Sequence, residues 1–140
     1  MKVTDWTNMF ASPPAGITFH NRPFTEPALF HLAPPPISSG IYAILMPDPS
    51  CQPRPYRVIY FGESNDFSAR VTQEHERYDD WVTEAGGVAN LYVAFCSTPY
   101  LREEQRRWVE SDLIARYRPA CNLRGNPAPI FYHPMLGMAK

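Results

Sequence analysis

The chain has 140 residues, of which 44% are hydrophobic and 14% aromatic. This length suits one domain, and this composition provides a packed core and excludes a mainly disordered chain. The formal net charge is −1, so the chain as a whole lacks the positive charge that is typical of many nucleic-acid-binding proteins. Because no apolar run approaches the roughly 20 residues that span a bilayer and no signal peptide opens the chain, we expect a cytoplasmic protein without a membrane partner.

The charges are unevenly distributed along the chain. Residues 1–98 contain six Lys and Arg against ten Asp and Glu, whereas residues 99–140 contain seven against four. This basic C-terminal third is either an ordinary solvated helix face, which charge alone favours, or a surface that meets phosphates. Three cysteines at wide spacing predict neither a disulfide framework nor a Cys-x-x-Cys metal site. They are Cys51, Cys96 and Cys121.

The first 38 residues contain seven of the 16 prolines, which argues against a continuous helix. Within them, the stretch ITFHNRPFTEPALFHL still carries several large apolar side chains. We therefore predict that residues 1–38 form a proline-rich N-terminal extension of short extended pieces, packed on the domain that follows.

Two short apolar runs come next, Gly40 to Met46 and Arg57 to Gly62. Their side chains alternate with the period of two that is typical of strands, and the loop PDPSCQPRPY between them is rich in turn-forming residues. The pattern predicts an antiparallel hairpin. Ser64 or Asn65 is then a candidate cap for a helix from about residue 66 to about residue 77.

The rest of the chain supplies a third strand and the strongest helix. The glycine pair Gly86 and Gly87 ends the segment that follows the first helix. Residues 89–97 are the candidate for the third strand. Pro99 opens the helix YLREEQRRWVESDLIARYR, which stops before Pro119. The predicted order is strand, strand, helix, strand, helix.

Glu110 lies on the apolar face of this last helix, in series with Leu113, Ile114 and Tyr117. A carboxylate directed toward a core needs a cationic side chain, a metal ion or a raised pKa, because burying it unpaired is costly. The alternative is that Glu110 only pairs with Arg106 or Arg107 one turn earlier. Such a pair contributes roughly 0.2 to 0.5 kcal/mol on an exposed helix, and Glu110 alone does not separate the two interpretations.

Five elements in sequence order resemble the GIY-YIG nuclease family: Gly40-Ile41-Tyr42, Tyr60-Phe61-Gly62, Arg70, Glu110, and Asn122 after RYRPAC. The resemblance covers residues 39–123 and depends on the whole series, since each short motif is common by chance. It implies an α+β domain with a small three-stranded, mainly antiparallel sheet flanked by helices, followed by a tail over residues 124–140.

The resemblance also implies roles for the residues. Glu110 would hold Mg²⁺ or Mn²⁺, and Arg70 would grip a phosphate with its planar fork. Tyr42 and Tyr60 would orient the attacking water, and similar enzymes are thought to use a tyrosine as general base, for which we favour Tyr42. His75, which titrates near neutrality, is the rival base. Gly40, Gly62 and Asn122 are given structural roles. The basic character of the C-terminal third separately makes Arg106, Arg107 and Arg118 candidate phosphate contacts.

The function implied by this resemblance is metal-dependent hydrolysis of DNA, directed at single strands or particular DNA structures because the chain lacks an appended DNA-reading module. RNA stays an alternative substrate, since nothing in the sequence reads a 2′-hydroxyl. Specificity then comes from this domain, its extensions, a protein partner or a homodimer. The competing interpretation is a catalytically silent module that binds nucleic acid or protein. The net charge of −1 favours it, and so does Glu63, because some relatives carry lysine there.

Overall fold

A computed structural model describes residues 16–124 of the chain. Its six strands are β1 (Ile17–Phe19), β2 (Arg22–Phe24), β3 (Ala28–Leu29), β4 (Gly40–Pro47), β5 (Tyr56–Ser64) and β6 (Tyr92–Ser97). Its four α-helices are α1 (Phe67–Arg70), α2 (Tyr78–Ala85), α3 (Glu103–Tyr117) and α4 (Ala120–Leu123), and short 3₁₀ turns cover Phe30–Leu32 and Val88–Asn90. The predicted α+β class is confirmed. Residues 1–15 of the predicted extension and 125–140 of the predicted tail lie outside the described residues.

The main sheet has four antiparallel strands in the order β3-β6-β4-β5, and β1 and β2 pair separately as a two-stranded hairpin. The prediction of three strands is therefore wrong. The fourth strand comes from the predicted N-terminal extension, where Ala28 and Leu29 pair with β6. Two residues are too short to show the period-two pattern by which strands are recognised in a sequence.

Alternation along β4 separates two apolar clusters. Tyr42 and Ile44 belong to the first, which we call the tyrosine face and which α1 and α2 cover through Phe67 and Trp81. The opposite face contains alternate residues of β4, packed against α3 and against the β1–β2 hairpin. The sheet is thus buried on both sides, and Tyr42, the first tyrosine of the motif, lies on the side covered by α1 and α2.

A β-bulge in β5 sets the position of the second tyrosine. Ile44 pairs with Tyr60, but the next residue of β4, Leu45, pairs with Val58, so Ile59 is extra. The uninterrupted alternation expected from Val58 to Gly62 is therefore wrong. Val58 packs on the opposite face, whereas Ile59 and Tyr60 both belong to the tyrosine face.

The single helix predicted after the hairpin is also wrong in extent, because α1 ends at Arg70 and α2 begins only at Tyr78. In the turns between the two helices, side chains accept hydrogen bonds from backbone N–H groups. The Thr72 hydroxyl accepts a hydrogen bond from the Glu74 N–H (3.2 Å), and His75 Nδ1 accepts one from the Arg77 N–H (3.0 Å). Such local bonds compete with helix formation.

Helix boundaries depend on caps that the sequence indicates only in part. Asp66, rather than Ser64 or Asn65, caps α1, since its carboxylate accepts from the Ser68 N–H at 3.0 Å. Gly86 ends α2 in the left-handed conformation, with φ 82°. α3 begins at residue 103, after the turn that contains Pro99, and therefore later than predicted. No helix among residues 16–124 is long and apolar enough to cross a membrane.

Asn122 joins the end of the chain to the sheet. Its Oδ1 accepts from the Phe61 N–H (2.7 Å) and its Nδ2 donates to the Phe61 carbonyl (2.9 Å). These bonds satisfy the free edge of β5 as a neighbouring strand would, which is the backbone-bonding role expected of this residue.

We expect Asn122→Ala to lower the free energy of unfolding by about 1 to 3 kcal/mol, because it leaves buried backbone groups of Phe61 without partners. Urea denaturation followed by far-ultraviolet circular dichroism measures this loss. The matched control is Asn65→Ala at an exposed position, where about 0.5 kcal/mol or less is expected. Equal losses in the two variants would contradict the role of Asn122.

Candidate active site

Gly62 makes room for the side chain of Tyr42. The two residues are paired directly across β4 and β5, and a Cβ atom at position 62 would overlap the Tyr42 ring and hydroxyl. Gly40 is equally constrained, since a Cβ there would overlap the carbonyl oxygen of Cys96 on β6. Steric overlap thus explains why both motif positions are glycine in this fold, and the ring of Tyr42 lies against the backbone of β5.

His75 is the hydrogen-bond partner of Tyr42. Its Nε2 lies 2.8 Å from the Tyr42 hydroxyl, and both residues are buried. Because His75 Nδ1 accepts from the Arg77 N–H, the neutral ring carries its proton on Nε2 and donates it to the Tyr42 oxygen. Burial, and then Arg70, lower the pKa of His75 to about 4, so the ring is neutral at pH 7. Both ring nitrogens are therefore engaged.

Neither tyrosine is ionised in the free protein at neutral pH. Burial, and then Tyr60, raise the pKa of Tyr42 well above its ordinary value of 10, while Arg70 acts to lower it. Burial, and then Glu110, raise the pKa of Tyr60 to about 12, and the Arg77 guanidinium, 5.7 Å from the centre of the ring, acts in the opposite direction. Tyr42 can serve as a base only when additional positive charge reaches its oxygen.

Arg70 brings a cation to the two tyrosines from the last residue of α1. Its guanidinium is close enough to the Tyr42 hydroxyl to lower the pKa of that group. The same fork donates to Glu76 through two bonds, Nη1 to Oε1 at 2.8 Å and Nη2 to Oε2 at 2.7 Å. The Arg70 side chain is 41% exposed, so this edge faces solvent. The geometry is the one by which arginine recognises carboxylates and phosphates.

Glu110 approaches the same cluster from α3, which packs along β5. Burial, and then the charge of Glu63, raise the pKa of Glu110 to about 7, and Arg107 and Arg70 act to lower it. Within residues 16–124 no ion pair involves Glu110. The proposed pairing with Arg106 or Arg107 is not formed, because both of these arginines are bound to other carboxylates. They are Glu63 for Arg106 (3.0 Å) and Glu103 and Glu63 for Arg107 (2.5 and 3.8 Å).

The three arginines considered for phosphate contacts are in different environments. Arg106 is 7% exposed, and it binds Glu63 and the Leu101 carbonyl, so it is a structural residue and we withdraw it as a phosphate contact. Arg107 is 65% exposed and can reach a ligand after leaving its carboxylates. Arg118 is exposed at the end of α3 and lines a cavity of about 730 Å³ that none of the candidate catalytic residues lines.

Three neighbours of the site were not predicted from the sequence: Glu76, Arg77 and Trp81. Trp81 packs its ring 4.3 Å from that of His75, centre to centre, and so fixes the plane of the imidazole. Arg77 donates to carbonyl oxygens of Cys121 and Arg124, so it joins the site to the chain end. The only sequence signal was the charged run EHER at residues 74–77, which is common on solvated surfaces.

The side chains of this site offer a divalent cation one candidate protein ligand, Glu110. Residues 16–124 contain no group of three or more His, Cys, Asp and Glu side chains arranged to hold a metal. They do contain Glu110, a partly buried carboxylate without an ion-pair partner and with a second carboxylate, Glu63, near enough to raise its pKa. Hard cations such as Mg²⁺ prefer carboxylate oxygens and commonly take their remaining ligands from water and substrate phosphates. The donor chemistry agrees with Mg²⁺ or Mn²⁺.

No family model, curated protein or solved structure matches this chain. We therefore infer the function from the motif residues and from their geometry. Tyr42, Tyr60, Arg70, His75 and Glu110 come from two strands, two helices and a turn region, and each contacts another member or perturbs its pKa.

Proposed function

We propose that the protein is a metal-dependent endonuclease of the GIY-YIG type that hydrolyses phosphodiester bonds in DNA. The observation that carries the proposal is the cluster of Tyr42, His75, Arg70 and Glu110 beside Gly62. A tyrosine oxygen, a phosphate-matching arginine and an unpaired carboxylate converge there from distant parts of the sequence. Such groups are what the hydrolysis of a phosphodiester requires.

A phosphodiester resists hydrolysis because its anionic oxygens repel a nucleophile. An enzyme has to position water, neutralise the charge that develops on the phosphate and assist the leaving oxygen. Arg70 can neutralise charge on the non-bridging oxygens, since its fork matches their spacing. Glu110 would hold Mg²⁺ or Mn²⁺, which when bound would stabilise the transition state and the leaving oxygen.

Tyr42 is the base that this arrangement favours. His75 donates its Nε2 proton to the Tyr42 oxygen, and Arg70 is close to the same oxygen, so two groups stabilise negative charge there. His75 is the weaker candidate, since both of its nitrogens are engaged and its pKa lies at about 4. His75 is thus a positioning residue in this proposal, and Tyr60 orients the water or the substrate.

A catalytically silent binding module is the second candidate function. Glu63 favours it, because this carboxylate forms ion pairs with Arg106 and Arg107 and so neutralises positive charge that could otherwise meet a phosphate. A module of this kind needs no metal and no free Glu110 carboxylate. The two functions therefore differ in what a neutral side chain at position 110 should do.

We expect Glu110→Gln to abolish cleavage of labelled DNA in Mg²⁺ or Mn²⁺ and to leave DNA binding intact or tighter, because it removes a metal ligand and one negative charge. Arg70→Ala should weaken both. Removing one preorganised electrostatic contact typically lowers the rate by about 10² to 10³, and losing the metal should cost at least as much. Gel assays on single-stranded, branched and duplex substrates measure cleavage, and fluorescence anisotropy measures binding. A Glu110→Gln protein that cuts at the wild-type rate would remove the metal-ligand role.

Substitutions at Tyr42 and His75 separate the two candidate bases. Tyr42→Phe keeps the ring against Gly62 and removes only the oxygen, so we expect a folded protein with a rate reduced by about 10² to 10⁴, the range for general base catalysis. His75→Gln should retain more activity, because it removes a positioning contact rather than the base. Single-turnover cleavage rates provide the comparison. A greater loss in His75→Gln than in Tyr42→Phe would make His75 the base.

The raised pKa of Glu110 should also make the stability of the protein depend on pH. Its pKa is about 7 in the folded protein against an ordinary value of 4.5, so the folded state binds the additional proton between these values. The protonation of Glu110 therefore stabilises the folded state fully below pH 4.5, and this stabilisation is lost as the pH rises to about 7. We expect the stability of Glu110→Gln relative to wild type to increase between about pH 5 and 7 and to level off above about pH 8.

Urea denaturation of both proteins across this range measures the effect. Comparing the two removes the contribution of His75, which has the opposite sign because its pKa is lowered to about 4 and which both proteins retain. Mg²⁺ added at high pH should narrow the difference, since a ligand of the folded state stabilises it. A difference that does not change with pH, or that ignores Mg²⁺, would contradict an unpaired Glu110 carboxylate that binds metal.

A further inference from the structure

Glu76 occupies the phosphate-binding edge of Arg70. Both terminal nitrogens of the guanidinium donate to it, one to each carboxylate oxygen, at 2.8 and 2.7 Å. A carboxylate bound in this way imitates the two oxygens that a phosphate would present. Glu76 lies six residues after Arg70, beyond the spacing of pairs on one helix, so the turns between α1 and α2 are what bring the two side chains together.

The guanidinium of Arg70 is enclosed on its inner side. It lies close to the Tyr42 hydroxyl, and its charge influences His75 and Glu110 as well. Glu76 covers the two terminal nitrogens, which are the groups with which an arginine binds phosphate oxygens. The Glu76 side chain is 60% exposed. Besides Arg70, its carboxylate accepts a hydrogen bond from its own backbone N–H and lies 3.7 Å from Nδ1 of the neutral His75 ring, and neither contact is an ion pair. It can therefore swing away without disturbing the core.

We infer that Glu76 is an internal stand-in for the substrate phosphate, which holds the Arg70 fork in the free protein and must be displaced for substrate to bind. The inference rests on the proposed function for the identity of the substrate. It makes Glu76 a determinant of affinity: the carboxylate weakens the binding of any single phosphate, so that a DNA strand with contacts elsewhere on the protein is favoured over small anions.

The opposite role for the same contact is that Glu76 positions Arg70 for substrate. The two roles predict opposite signs. A competitor lowers affinity, so its removal tightens DNA binding, whereas removal of a positioning residue weakens it. Exposed ion pairs are worth up to about 1 kcal/mol, which corresponds to about fivefold in a dissociation constant.

The test uses full-length Glu110→Gln protein, which should bind DNA without cutting it, and a fluorescein-labelled single-stranded oligonucleotide. We expect the additional change Glu76→Gln to tighten binding about fivefold. Glu74→Gln is the matched control. Glu74 lies two residues before Glu76, its side chain is exposed, and it is not bound to Arg70, so the substitution removes the same charge without freeing the guanidinium. It should change affinity by less than about twofold. In an Arg70→Ala background the effect of Glu76→Gln should disappear.

Weaker or unchanged binding by Glu76→Gln, a gain equal to that of Glu74→Gln, or a gain that persists without Arg70 would overturn the inference. Absence of DNA binding in every variant would instead contradict the proposed function. The role of Glu76 is then decided with inorganic phosphate, whose stabilising effect on Tm should be larger in Glu76→Gln than in Glu74→Gln only while Arg70 is present. Equal shifts would overturn the role of Glu76 independently of any nuclease activity.

Discussion

The contact between the Tyr42 ring and the backbone at Gly62 is the constraint on which the rest of the candidate site depends. It requires a glycine on β5 opposite a tyrosine on β4, and it directs the hydroxyl to His75 at 2.8 Å. His75 is fixed in turn by the Arg77 N–H and by the ring of Trp81. The turns that hold His75 also end α1 at Arg70, so one irregular segment places both the histidine and the arginine.

The charged and titratable groups of this cluster influence one another in the free protein. The free protein keeps Tyr42 protonated, gives Glu110 a pKa of about 7 and holds Arg70 against Glu76. In the proposed function each of these groups would change state when a cation and a phosphate bind: the tyrosine oxygen would gain positive neighbours, the glutamate would gain a metal ion, and the arginine would exchange a carboxylate for a phosphate. Under this proposal, affinity and activity would both depend on the simultaneous presence of metal and nucleic acid.

Sequence patterns predicted the regular parts of the fold and missed the parts set by tertiary contacts. The period of two in β4 correctly placed Tyr42 on one face of the sheet, and Gly86 correctly ended α2. The bulge at Ile59 left no signal, because an apolar run reads the same whichever face each residue takes. The pairing of Arg70 with Glu76 was hidden for a related reason: the predicted continuous helix would have placed the two residues on different faces.

The central claim is that a divalent cation and a phosphate meet between Glu110, Tyr42 and Arg70. Anomalous diffraction from crystals of the wild-type protein grown with Mn²⁺ and a phosphorothioate-substituted DNA strand tests it most directly. We expect a manganese peak about 2 Å from a Glu110 carboxylate oxygen, with a phosphate group in contact with the Arg70 fork in place of Glu76. Manganese bound elsewhere, or a DNA backbone that bypasses Arg70 while Glu110 stays without a ligand, would contradict it.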